Sequence, residues 1–219
     1  MIRYKKMITD LKSLQEWVQD NYDPDIEKSL SDEELINEYV KYPSVQKNTK
    51  ILTEVLSQNN VTKRQIEKIK KDYVNQLVPA GTKGVVRGNK FNNIVKETLL
   101  RSFNEDRYEI AFEKNCEYMF SEIPDWYIKD KTTNNIVIGY NQLDLWSGGA
   151  QINRASKYIM DDNFHLKYEA DNVKVLSVVC NKLSIVNENS KSFKIMKHGI
   201  NTGRVCYIKS LIRTIELML

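Results

Sequence analysis

The stretch EIPDWYIKDKTTNNIVIGYNQLDLWSGGAQINRASKYI, Glu122 to Ile159, decides how this chain is read. It opens on a Pro-Asp step, Pro124-Asp125, and a short apolar run. A polar turn, Lys129 to Asn135, separates that run from a longer one, Ile136 to Trp146, whose end is polar. Gly148 and Gly149 then lead into a helical pattern. The spacing predicts strand, hairpin, strand and helix. Side chains alternate faces along a strand. Ile136, Ile138, Tyr140, Gln142, Asp144 and Trp146 therefore share one face, and Val137, Gly139, Asn141 and Leu143 the other.

Asp125 starts the partner strand, about 5 Å away across the hairpin. It is expected to meet Gln142 and Asp144 at one end; a register shifted by one residue makes Asn141 the ligand instead. Two carboxylates and an amide oxygen form a hard donor set that suits Mg²⁺, with waters and a substrate phosphate completing its shell. Such an ion acidifies a bound water and stabilises charge on a phosphodiester.

Upstream, VPAGTKGVVRGNKFNNIV, Val78 to Val95, carries Pro79, Gly81, Gly84 and Gly88 interleaved with Lys83, Arg87 and Lys90. It reads as a glycine-rich loop whose cations suit phosphates or guanine edges, or as a plain connection. It is not a phosphate-binding loop of the Walker type, because a helix precedes it. Phe91, Ile94, Val95, Thr98 and Leu99 predict an amphipathic helix with Glu97 and Arg101 on its polar side. Arg107 to Glu113 alternates as a strand. Downstream, Val173 to Cys180 is the strongest buried-strand signal. Phe193 to Met196 reads as a short strand, and Gly203 onward as a closing helix.

Before the core, residues 4 to 21 read as a helix through Ile8, Leu11, Leu14, Trp17 and Val18, and Asn21 to Ile26 as a break. Ser31 with Glu34 and Thr62 with Gln65 are capping-box patterns that start helices. Pro43 is expected to end or kink the first of these, and Ile51 to Leu56 to form another. Lys63, Arg64, Lys68, Lys70 and Lys71 make a basic face, either solvated surface or phosphate contact. Residues 1–78 are thus a helical subdomain and 79–219 the core, in the order helix, three strands, helix, strand, terminal helix.

The 219 residues suffice for one domain with an added subdomain. A formal charge of +4 permits a polyanionic partner without demanding one. Cys116, Cys180 and Cys206 are odd in number and far apart, which fits buried thiols in a reducing compartment and gives a zinc site no support. His165 and His198 are isolated. No signal peptide or membrane span is readable, so a cytoplasmic protein is expected.

The Pro-Asp step, the apolar strand ending in a polar triplet and the flanking helices resemble the PD-(D/E)xK nuclease superfamily. AGTKGVVRGNKFN combined with IGYNQLDLWSGGAQINRASKY resembles small type II restriction endonucleases, over roughly residues 78 to 180. The resemblance implies an α/β, restriction-endonuclease-like core: a central mixed sheet flanked by helices in α-β-β-β-α-β order. It implies Mg²⁺-dependent hydrolysis of double-stranded DNA at a short sequence, leaving 5′-phosphates. It implies a homodimer and a cognate DNA methyltransferase encoded nearby. Asp125, Gln142 and Asp144 take the catalytic and metal-binding positions, and Glu97 that of a further carboxylate on the preceding helix. Glu97 reads equally as a surface partner of Arg101. Where the family has acid-x-lysine, this chain has Gln142-Leu143-Asp144. Lys157 on the next helix is then the candidate for the missing lysine, or the metal works alone. Lys83, Arg87, Asn89, Lys90, Gln151 and Arg154 are the candidate DNA contacts. Two other readings stand beside this one: a catalytically silent nuclease-fold subunit that binds nucleic acid, and an interaction protein in which Asp125 and Asp144 are ordinary strand-end residues.

Overall fold

The computed structural model describes residues 7–114, 122–143, 149–161, 172–180 and 187–219, except for the side chains of 73–75 and 150. Asp144, Cys116 and His165 lie outside the described residues.

The chain is α/β, built on one mixed sheet. Its strands are β1 (Tyr108–Phe112), β2 (Trp126–Asp130), β3 (Ile136–Gln142), β4 (Val173–Val179) and β5 (Val205–Tyr207), neighbours in that order. β1–β2 and β2–β3 pair antiparallel, whereas β3–β4 and β4–β5 pair parallel. Short turns suffice for antiparallel neighbours, but parallel ones need long crossovers, which here contain helices. Helix α6 (Ala80–Ser102) precedes β1, and α7 (Gly149–Ala155) follows β3. A π-helical turn, Ser156–Met160, continues α7. Helix α8 (Lys191–Thr202) connects β4 to β5, and α9 (Ile208–Met218) follows β5.

Earlier in the chain come α1 (Leu11–Asn21), α2 (Pro24–Ser29), α3 (Asp32–Tyr39), α4 (Pro43–Gln58) and α5 (Lys63–Leu77). The chain divides into two compact units: Asp25–Phe91, and Met1–Pro24 together with Asn92–Leu219. The boundary therefore differs from the one expected at residue 78. Helix α1 belongs with the sheet because Leu14 and Val18 bury against Phe193, Met196 and Ile200 of α8. Trp17 also meets the Tyr207 ring, with centroids 5.7 Å apart.

Several local expectations change. Val78 to Val95 is not a glycine-rich loop: after Pro79 it is the first part of α6. A Cβ at Gly81, Gly84 or Gly88 would meet nothing within 4 Å, so no close approach calls for glycine there. Phe91, Val95 and Leu99 are buried at four-residue spacing, and that apolar stripe outweighs the glycines' cost of about 1 kcal/mol each. Phe193 to Met196 is helical rather than extended. Ser190 caps α8 by accepting the Phe193 N–H at 3.1 Å. Four apolar-rich residues are too short a window to separate the two periods. Gly203, at φ 81°, ends α8 in the left-handed region. Val205–Tyr207 can then join the sheet before α9 begins.

Pro43 starts α4 instead of ending α3, where its missing N–H costs nothing. Pro24 likewise starts α2 inside the expected break. The described part of the first helix begins only at Leu11, after a capping box of Asp10 and Ser13. The Thr62–Gln65 box forms in full, whereas Ser31 makes only its own half, accepting from Glu34 N–H. Cys180 and Cys206 are buried. Among the described residues no helix is long and apolar enough to cross a membrane.

Candidate functional site at the end of the β2–β3 hairpin

Trp126 pairs with Gly139 across β2 and β3. A Cβ on Gly139 would lie 1.8 Å from the indole Cε2, so only glycine lets that ring lie over β3. The buried indole Nε1–H donates to Asn141 Oδ1 at 3.1 Å. Asn141 Nδ2 in turn donates to Asn92 Oδ1 on α6 at 2.9 Å. The Asn141 backbone N–H donates to Asp125 Oδ2 at 2.6 Å. Asp125 is thus anchored to the strand residue one place before the one expected. In the described site Asp125 is met by the Asn141 backbone N–H, while the Asn141 side chain is taken by Trp126 and Asn92.

Asp125 lines a pocket of about 90 Å³ with Asn92, Asn93, Lys96, Glu113 and Asn141. That volume holds a few waters. Glu113 is the residue after β1, and its N–H donates to the Asp125 carbonyl at 3.1 Å. Its φ of 49° is left-handed, a conformation costing of order 1 kcal/mol or more for a residue with a side chain. Lys96 lies 5.1 Å from the centroid of the Phe112 ring.

Burial pushes the Asp125 carboxyl above the usual range. The Asn141 N–H and the Arg154 cation oppose that shift, and the Glu113 charge adds to it. Arg154 Nη2 stands 3.8 Å from Asp125 Oδ2, beyond hydrogen-bond length. The pocket therefore presents a carboxylate held in place by one backbone donor, with Lys96 in its lining and Arg154 at ion-pair distance. Such a group can bind a hard cation or take up a proton.

The other expected site residues divide. Gln142 is buried, and its Nε2 has no hydrogen-bond partner among the described residues. Lys157 pairs with Glu122 instead of standing over Asp125. Tyr158 Oη donates to the same Glu122 at 2.6 Å. The Tyr158 ring stacks on Tyr140, with centroids 3.9 Å apart and planes at 4°. Arg154 and Lys157 lie 5.8 and 5.7 Å from the Tyr158 ring centroid. Glu97 is exposed and pairs with Arg101 at 3.2 Å, the surface arrangement. Lys83 pairs with Asp32 at 2.5 Å, and Arg87 Nε donates to the Leu30 carbonyl at 3.2 Å. Asn89, Lys90 and Gln151 are exposed.

Asn92, Asn93, Lys96, Glu113 and Glu122 carry no motif of their own. The one available signal for Glu113 was pairing: if β1 ends opposite the start of β2, residue 113 falls beside residue 125. Among the described residues there is no cluster of three His, Cys, Asp or Glu side chains. No family model, no curated protein and no solved structure matches the chain.

Proposed function

We propose that the chain is a Mg²⁺-dependent endonuclease that cuts double-stranded DNA, a type II restriction endonuclease with a PD-(D/E)xK-like core. One observation carries the reading: the mostly buried Asp125, with its raised pKa, ends the hairpin beside a second carboxylate, Glu113, and an arginine. The succession α6, β1, β2, β3, α7, β4 supports it, being the order the resemblance implies.

The donors suit the ion. Magnesium is ordinarily held by one or two carboxylates, with waters and substrate phosphates as its other ligands. Asp125 and Glu113 would hold it here, and Asp144 follows on the same chain segment. When bound, the ion supplies an acidified water and stabilises charge on the phosphate. Asn141 fixes the Asp125 carboxylate through its backbone N–H. Arg154 meets the phosphate from the α7 side. Water attacks phosphorus in line, the P–O3′ bond breaks, the 3′ oxygen takes a proton and the 5′-phosphate remains. A two-fold symmetric dimer suits a palindromic site.

Digestion of plasmid DNA with and without Mg²⁺, followed by sequencing of the ends, tests this. Cuts at one short site with 5′-phosphates are expected. Full cutting by Asp125→Asn would overturn the site. A second reading, a silent DNA-binding subunit, draws on Gln142 in the acid position and on Lys157 being engaged by Glu122. Binding without Mg²⁺-dependent cuts would favour it.

A further inference from the structure

Helix α8, KSFKIMKHGINT, contains three lysines and no acid. Lys191, Lys194 and Lys197 recur every third residue beside the buried face of the helix, and Lys197 Nζ lies 5.8 Å from the Phe193 ring centroid. Among the described residues none of the three pairs with a carboxylate. Lys191 Nζ donates to Asn153 Oδ1 at 3.0 Å, and Lys197 Nζ to the Thr9 carbonyl at 2.7 Å. Both acceptors are neutral, so the charges stay uncompensated. Three lysines of the other unit differ: Lys41, Lys50 and Lys70 pair with Glu38, Glu54 and Glu67.

A groove of about 580 Å³ runs beside the ridge, lined by Lys194, Lys197, His198, Asn189, Asn201 and Thr202 among others. Among the described residues its one lining carboxylate, Glu188, accepts the Leu11 N–H at 2.6 Å. The ridge also connects to the pocket. Lys191 rests on Asn153, and the next residue, Arg154, faces Asp125.

We infer that this ridge is a track for the sugar-phosphate backbone of duplex DNA, carrying the strand away from the Asp125 pocket. The inference rests on the endonuclease reading for its choice of polyanion. Six helical residues advance about 9 Å, which matches about three nucleotides of one strand at about 3.4 Å each. Lysine suits this task because it neutralises phosphate without reading bases.

The test is binding of a DNA duplex to the full chain in EDTA, followed by anisotropy across a salt series. Replacing all three lysines by Gln should lower the slope of log K against log salt by about 2 to 3, at about 0.9 per lost contact. The Lys194→Gln single variant, whose side chain has no partner among the described residues, should lower it by about 0.9. The control Lys41→Gln/Lys47→Gln/Lys50→Gln changes net charge equally and should keep the wild-type slope. Equal losses in both triples, or no loss on α8, would overturn the track, as would a wild type that does not bind. Cutting is read separately. A wild type that binds through α8 yet never cuts with Mg²⁺ removes the endonuclease reading and leaves the track standing. One that cuts while α8 variants bind normally removes only the track.

Discussion

Strand β2 is bracketed by two aspartates with opposite electrostatics. Asp130, at its end, is fully buried and clasped by Arg107, whose Nη2 and Nε lie 2.7 and 3.2 Å from Oδ2. The Thr132 N–H donates to Oδ1 at 2.8 Å. These partners, Arg107 foremost, pull its carboxyl down to about 2. Asp125, just before the strand, has one strong donor, an arginine at 3.8 Å and a carboxylate neighbour, and burial drives it the other way. The strand is the same; the compensation differs. A satisfied acid stabilises the fold, whereas an undercompensated one leaves binding energy for a cation.

The contrast breaks most visibly in activity. Asp125→Asn should lower Mg²⁺-dependent cutting by more than about 100-fold, the scale set by outer-shell partners alone. Its Tm at pH 7 should equal or exceed that of wild type. The native Asp125 pKa lies above the unfolded value, so ionising it costs stability as pH rises through that interval. Asp130→Asn should do the reverse, keeping the cutting and lowering Tm in thermal melts. Equal losses of cutting in both variants would erase the distinction.

Gly139→Ala comes next. It drives a Cβ into the buried Trp126 ring and should cost about 1–3 kcal/mol in denaturant unfolding. It should also cut activity by displacing Asn141. A smaller effect is expected from Asn92→Ala, which removes one hydrogen bond to Asn141. That change should cost about 1 kcal/mol of stability and weaken half-saturation by Mg²⁺.

The pH profile sharpens the pair. Activity should fall on an acid limb lying above the ordinary aspartate range, as Asp125 takes up a proton. The stability that Asp130 contributes is fully present above the ordinary range and is lost as pH falls through about 2. An acid limb at or below the normal aspartate range would show that Asp125 is compensated after all.

Much of this was legible along the chain. Alternation marked β1, the hairpin strands β2 and β3, and β4, because each had a period or a long apolar run of its own. The Thr62–Gln65 box and the helix after it were also readable, being local hydrogen-bond chemistry. Helix α6 was legible only in its second half: Phe91 to Leu99 showed a helical period, whereas three glycines and a proline made the first half imitate a loop. Phe193 to Met196 of α8 and the three residues of β5 were hidden for another reason, windows too short for a period to show.

The sequence by itself determined that an acid opens the hairpin and that polar side chains close it. Only the tertiary structure decided which of them meet. A slip of one residue exchanges the faces of a strand, and the register is set by an indole that fits over Gly139 alone. The indole also holds the Asn141 side chain, whose backbone N–H anchors Asp125, and pairing with β1 brings Glu113 to the same pocket from a distant part of the chain.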